Sequence, residues 1–268
     1  MSLRLVAVLA FAVLLALSNG PAGAVTLTGV IRDFCAPSIA GTCTQLSDFE
    51  GAITGVVQNM VDPTLTGGLP TPGPNIAAGA SSDDNFAKWF VNSPGFNLST
   101  PFQLDLTEGP PGTFIFSSGA FFPIDNQLFG NQGRGNNFHF TMHLQGQLSF
   151  TDPIPNVPDF NFNFTGDDDL WIFVGGQKMI DLGGVHGPAA ANFNEEDLLD
   201  KGLAPNVLHS FDIFFAERHT SGSNFQITTT LNIAALPPPS TNVPEPASVT
   251  LLGVGCAALA LLRRRRTI

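Results

Sequence analysis

Three consecutive carboxylates, Asp167, Asp168 and Asp169, stand between two apolar runs that read as strands. Charges of one sign packed this closely repel one another unless solvent, hydrogen-bond donors or a cation neutralise them. Calcium suits such a turn, because it takes about 6–8 oxygen ligands at roughly 2.3–2.6 Å in loose geometry. Magnesium demands a stricter octahedron, and zinc prefers nitrogen and sulfur. The competing reading is a solvated acidic turn that caps the two strands. His186 and His219 can reach this turn and contact a ligand, or each can serve as a plain hydrogen-bond donor.

Catalysis has little support. A glycosidase needs two carboxylates about 5–9 Å apart across a cleft, and adjacent aspartates on one turn do not face each other in that way. The chain has no Gly-x-Ser-x-Gly elbow, zincin histidine pair, phosphate loop or dinucleotide fingerprint. His139 and His143 lie four residues apart on one strand, about 13 Å at strand rise and too far to share a metal ion. Trp171 alternates with Phe173 and reads as core, and Trp89 reads similarly. Asp181, Gly183 and Gly184 read as a tight bend whose amides the carboxylate holds. Glu217 and Arg218 read as a neutralised pair bracing a loop.

The elements that must position these groups are mostly strands. Phe138, Phe140, Met142, Leu144, Leu148 and Phe150 alternate with polar residues, the period of a strand with one buried face. Gly146 falls in the apolar register and suggests a bulge or bend. Asp159–Thr165 continues the theme, with Phe160, Phe162 and Phe164 inward. Leu170–Val174 and Gln177–Leu182 flank Gly175-Gly176, a two-residue hairpin signal. Val207–Glu217 and Asn224–Ile233 read as a second strand pair joined by Arg218–Ser223, and earlier strands are expected at Val25–Ile31, Phe102–Leu106 and Thr113–Phe116. Helix is confined to two places. One follows Ser47, with Glu50 completing a capping box and Leu46, Phe49, Ile53, Val56, Val57 and Met60 at helical spacing; the other is a short turn at Phe86, Trp89 and Phe90. Asp62–Ser82 between them reads as a polar loop. The pattern is an all-β, antiparallel sandwich or barrel with one or two short helices.

Both ends of the chain carry export features. Arg4, the apolar run Leu5–Leu17 and Ala22-Gly23-Ala24 form a signal peptide over residues 1–24, with Val25 expected as the mature N-terminus. A domain over residues 25–235 and a proline-rich linker over 236–243 follow. At the C-terminus come Pro244-Glu245-Pro246, 16 predominantly apolar residues from Ala247 to Leu262, and Arg263, Arg264, Arg265 and Arg266. The apolar stretch is a little short of the ~20 residues of a comfortable spanning helix, and the arginines would hold its far end on the cytoplasmic side. Between residues 25 and 240, six basic residues face 21 acidic ones, a net charge of −15. Such a surface repels nucleic acid and anionic headgroups. Cys256 falls in the tail, so Cys35 and Cys43 are left as an exported pair that can close a small disulfide loop or remain two small apolar residues.

The tail, Pro-Glu-Pro then apolar run then arginines, resembles the PEP-CTERM sorting signal over residues 244–268. The resemblance implies recognition by an exosortase-type membrane enzyme, transient inner-membrane anchoring through a C-terminal transmembrane helix, and delivery to the cell surface or extracellular matrix. Phe164-Thr165-Gly166-Asp167-Asp168-Asp169-Leu170-Trp171, Asp181-Leu182-Gly183-Gly184-Val185-His186 and Phe214–Phe225 resemble the fibro-slime domain. So do Asp48-Phe49-Glu50-Gly51 and Phe86-Ala87-Lys88-Trp89-Phe90, so that the likeness runs over roughly Leu27–Ile233. The fibro-slime domain is similar in turn to the protective-antigen-type, lectin-like β-sandwich. In sugar-binding members of that group, two aspartates joined by a cis peptide hold calcium, and an Asn on a second loop completes the site. The resemblance implies Asp167-Asp168 or Asp168-Asp169 as the pair, with Asn224, or else Ser221 or Ser223, as partner. The three aspartates depart from the wider group's two and leave the pair undecided.

The reading that follows is an exported, non-enzymatic surface or matrix protein with a calcium-assisted carbohydrate- or adhesion-type domain. Extracellular polysaccharide is its expected ligand. The alternative is a purely structural matrix protein with no discrete ligand.

Overall fold

The computed structural model describes residues 24–35, 43–110, 112–153 and 161–236. The expected signal peptide, proline-rich linker and tail helix lie outside these residues, as does Phe160. No helix among the described residues is long and apolar enough to cross a membrane.

Eleven strands form one antiparallel sheet folded over itself. In chain order they are β1 (Val25–Phe34), β2 (Asn97–Glu108), β3 (Phe114–Ser118), β4 (Phe140–Ser149), β5 (Asn161–Asp167), β6 (Asp169–Val174), β7 (Gln177–Leu182), β8 (Ala189–Asn194), β9 (His209–Glu217), β10 (Asn224–Thr229) and β11 (Asn232–Ala234). The order across the sheet is β7-β6-β9-β4-β1-β2-β3-β10-β5-β8, with β11 added to β4. Among the described residues, three short helices complete the set: α1 (Ile76–Gly79), α2 (Asp83–Phe86) and α3 (Glu195–Asp200), of which α1 interrupts the expected 62–82 loop and α3 lies outside both expected helical places. The all-β expectation is met, and the near-barrel closure follows from β2, which pairs with β1 along its length and with β3 only at Thr107 and Glu108.

Two cores lie on either side of the β6-β9-β4-β1 half. The larger gathers Leu27, Ile31, Met142, Leu144, Ile172, Ile213 and Phe215 against Phe162, Phe164, Phe193, Phe225 and Ile227 of the facing half. The smaller takes the opposite parity, Trp171, Phe173 and Phe214, and covers it with Phe49, Met60, Phe86, Trp89 and Phe90 from the segment between Cys43 and Phe96. Strands covered on both faces read as continuous apolar runs, which accounts for Leu-Trp-Ile-Phe-Val in β6. Trp171 and Trp89 are fully buried, as core residues.

Several local readings hold. Gly175 and Gly176 take φ of 55° and 75°, as a two-residue hairpin between β6 and β7 requires. Helix α2, capped by Ser82, leads into the Phe86–Phe90 turn. Cys35 and Cys43 form a disulfide with Cα atoms 5.9 Å apart.

Three readings are corrected. Residues 46–60 form no helix; a turn at 47–50 gives way to irregular chain with a bridge from Val57 to Gly183. Their apolar spacing serves docking onto the outer face of the sheet. Strands β9 and β10 do not pair, since β9 lies between β4 and β6 and β10 between β3 and β5. Gly146 makes no bulge and stays in register opposite Phe211.

β1 runs between β2 and β4, and at Gly29 the neighbouring backbone comes too close for any side chain: a Cβ there would sit 1.9 Å from the His143 carbonyl oxygen. Gly29→Ala is expected to cost at least the ~1–3 kcal/mol of an overpacked core. Denaturant unfolding checks this, and a variant as stable as wild type would refute the close approach.

Candidate functional site

β5 belongs to one half of the folded sheet and β6 to the other, and the chain crosses between them at the single residue Asp168. The three aspartates therefore mark the crossover, and backbone direction sends their side chains to different partners. The cis peptide bond falls between Asp167 and Asp168. Asp167 pairs in register with Asn224 at the start of β10, whose N–H and Nδ2 donate to its two carboxylate oxygens at 2.5 and 2.9 Å. That leaves Asn224 Oδ1 as an oxygen donor beside the carboxylate. Asp168 accepts from the backbone N–H of His186 at 3.1 Å and of Arg218 at 3.0 Å.

Asp169 has a different job. It is fully buried, and its oxygens accept from Arg218 Nε at 2.5 Å, Arg218 Nη2 at 3.1 Å and the Gly184 N–H at 2.5 Å. Arg218 donates further to the carbonyls of Asp48 and Gly79, and its guanidinium lies over the Trp89 ring at 4.6 Å. The expected Glu217–Arg218 pair is thereby corrected: Arg218 serves Asp169. Consecutive residues at the end of an extended strand point to opposite faces, so Glu217 and Arg218 diverge.

Glu217 carries a signal that sequence reading missed. Its side chain is buried, one oxygen meets the His219 N–H at 3.3 Å, and the Ser223 hydroxyl stands beside the carboxyl. Burial, then the charges of Asp168 and Asp167, push its carboxyl well above the usual range. Burial and the neighbouring Asp169 push Asp168 up to about 7. His186 Nδ1 lies 2.7 Å from the Gly187 carbonyl and so carries the proton, which leaves Nε2 as a buried acceptor without a protein partner. His219 Nδ1 is likewise buried and unpartnered.

The structure thus brings Asp167, Asp168 and Asn224 together, with His186 and His219 attached through the same backbone segments, and turns Asp169 away into an ion pair. Ser221 is exposed. His139 and His143 are apart from the site: His139 contacts Glu50 and Arg134, and His143 contacts Asp212 and stacks on Phe214. Asp181 bonds Lys178, the Trp171 indole and the Asn59 N–H, a structural role. Among the described residues, no group of three or more His, Cys, Asp and Glu is arranged to hold a metal ion. An oxygen set that draws on an Asn amide lies outside that definition. The chemistry on offer is two buried carboxylates and an amide oxygen, with no cationic side chain of their own.

Residues 242–266 match the PEP-CTERM protein-sorting motif. Among curated proteins, the chain is 34% identical over 202 residues to protein psiD of Dictyostelium discoideum, 69% of this chain and 38% of psiD. It is 32% identical over 240 residues to psiC of the same organism, 78% of this chain and 44% of psiC. With psiQ the match is 34% over 167 residues, 57% of this chain and 16% of psiQ. The chain thus ends in a PEP-CTERM sorting motif, and the part before it is similar to the psi proteins, which are of the fibro-slime family. It spans less than half the length of these psi relatives. Among solved structures, the PA14 domain of the MpAFP antifreeze protein aligns with 78% of this chain and 86% of its own, at 12% identity and a TM-score of 0.34. A PA14 sugar-binding domain from an RTX adhesin aligns with 79% of this chain and 95% of its own, at 14% identity and a TM-score of 0.29.

Two predictions follow from the charge arrangement. Arg218→Met strands Asp169 without its cation and is expected to cost ~3–5 kcal/mol in denaturant unfolding, part of it recovered by adding Asp169→Asn. A second buried carboxyl, Asp33, accepts from the Phe129 N–H at 2.8 Å, and burial pushes it up to about 7 from 3.8. A raised carboxyl pKa contributes stability below the unfolded value and loses it as pH rises through the folded one. The stability advantage of wild type over Asp33→Asn is therefore expected to shrink from pH 5 to pH 8, and a widening gap would contradict the assignment.

Proposed function

We propose that the fibro-slime-type domain is a calcium-assisted carbohydrate-binding module on an exported surface or matrix protein. The observation that carries this reading is an asymmetry of charge. Asp169 has Arg218 in direct contact, whereas Asp167 and Asp168, also buried, accept only from uncharged N–H donors, with the Arg218 charge acting on Asp168 from a distance. Two carboxylates held together under the surface favour a divalent cation. Asp167, Asp168 and Asn224 Oδ1 would hold it, an all-oxygen set of the kind calcium prefers. When bound, the ion supplies an anchor for vicinal sugar hydroxyls. His186 Nε2, an acceptor, suits a hydroxyl donor, and His219 lies one residue beyond Arg218 on the same loop.

The sorting motif supports export, and with it processing by an exosortase-type enzyme and transient anchoring through the tail. We read the domain as non-catalytic, because the three adjacent aspartates sit on one crossover instead of facing each other across a cleft. One observation favours the structural alternative: Asp167 and Asp168 already accept four N–H hydrogen bonds, enough to brace a turn without an ion.

Calorimetric titration of calcium into the purified protein separates the two readings. Saturable binding with a rise in melting temperature, both lost in Asp168→Asn and retained in Asp105→Asn on the exposed part of β2, is the expected outcome. No heat and no melting shift up to millimolar calcium would leave the acidic turn as architecture.

A further inference from the structure

Arg32 sits on β1 opposite Ser99 of β2 and Thr141 of β4, so the three side chains stand in one row across the sheet. Ile31, of opposite parity, enters the main core, and the Arg32 row faces the other way. The arginine is only 8% exposed. Nε donates to Asn92 Oδ1 at 3.0 Å, Nη1 is buried with no acceptor in the protein, and no carboxylate pairs with the guanidinium among the described residues.

This is unusual chemistry for this chain. The other deeply buried cations are neutralised: Arg218 by Asp169, and Lys178 by Asp181. Carboxylates are abundant, 21 against six basic residues between positions 25 and 240, yet among the described residues none forms an ion pair with Arg32. A buried ion without a partner costs several kcal/mol, and burial alone already lowers the Arg32 pKa. The surroundings offer donors and little else. Thr141 Oγ1 is committed to the Trp89 carbonyl. Ser99 presents an exposed hydroxyl, and Asn92, its oxygen turned to Nε, directs its NH₂ elsewhere at the exposed rim.

We propose that Arg32, with Ser99 and Asn92 at its rim, is a binding site for a carboxylate from outside the chain. The guanidinium fork matches a carboxylate's two oxygens. One positive charge calls for a monoanion; a phosphate dianion would add net negative charge to a domain already at −15. The site is independent of Asp167 and Asp168 and stands whether or not calcium binds there. A uronic-acid residue of a polysaccharide presents this group and fits the carbohydrate-binding reading of the domain, on which this choice of source rests; an acidic peptide is the competing outcome of the test.

The test replaces sodium chloride by sodium acetate at constant ionic strength, using the purified protein. The readouts are the Arg32 Nε–Hε resonance and the melting temperature. A saturable resonance shift and a melting rise specific to acetate are expected. Ser99→Ala should weaken the acetate affinity about threefold to tenfold, the worth of one hydrogen bond, and Arg32→Gln should abolish it. If Arg32→Gln fails to fold, the wild-type titration and Ser99→Ala still decide. Identical responses to acetate and chloride would overturn the site. Binding tightened with oligogalacturonate over acetate assigns the glycan source, and tightening with oligoglutamate assigns the peptide source.

Discussion

The contact between Arg218 and Asp169 ties more of this molecule together than any other. Asp169 begins β6 immediately after the chain has crossed from one half of the folded sheet to the other, and Arg218 follows directly on β9, the strand beside it. One guanidinium therefore closes the crossover, fixes the 47–50 turn and the end of α1 through two carbonyls, and stacks on Trp89. A buried ion pair is a weak source of net stability, because desolvation consumes much of its attraction. Its worth here is in specification. Both charges and most of the guanidinium's donors are matched in this one arrangement of the loops.

Everything at the crossover depends on that closure. With Asp169 pinned, Asp168 must accept from the backbone amides of the two flanking loops, and Asp167 must meet Asn224 across the β5–β10 ladder. The carboxylates are thus held near one another by donors that do not carry full positive charge. Their neighbour Glu217 shares the problem, and burial together with these charges holds its carboxyl pKa well above the usual range. The strand ends that assemble here come from both halves of the sheet, so the site exists only when the sheet is folded over.

The second core explains why so much of the chain is devoted to a covering segment. A sheet half with one face on the main core still presents Trp171, Phe173 and Phe214 on the other, and these need a lid. Residues 43–96 supply it with Phe49, Met60, Phe86, Trp89 and Phe90, and the Cys35–Cys43 disulfide fixes where the lid begins. The segment also touches the loop that carries His186: the N–H groups of Thr54 and Gly55 donate to the Val185 carbonyl. The covering layer and the acidic crossover are therefore one structure.

By itself the sequence determined what local periodicity controls. The alternation in β4 and β5, the Gly175-Gly176 hairpin, the short turn after Ser82 and the pairing of two nearby cysteines were all legible, because each depends on residues close along the chain. The family resemblance narrowed the site to Asp167, Asp168, Asp169 and Asn224. Only the tertiary structure decided the rest. The spacing in residues 46–60 suggested a helix, since docking onto a sheet can repeat at helical intervals without helical hydrogen bonds. Strands β9 and β10 looked like a hairpin, but pairing is a non-local choice set by which faces must be buried. The division of labour among the three aspartates rests on an arginine 49 residues away. Nothing in three identical side chains says which one that arginine will take; the backbone crossing between two sheet halves does, because it points each carboxylate at a different neighbour.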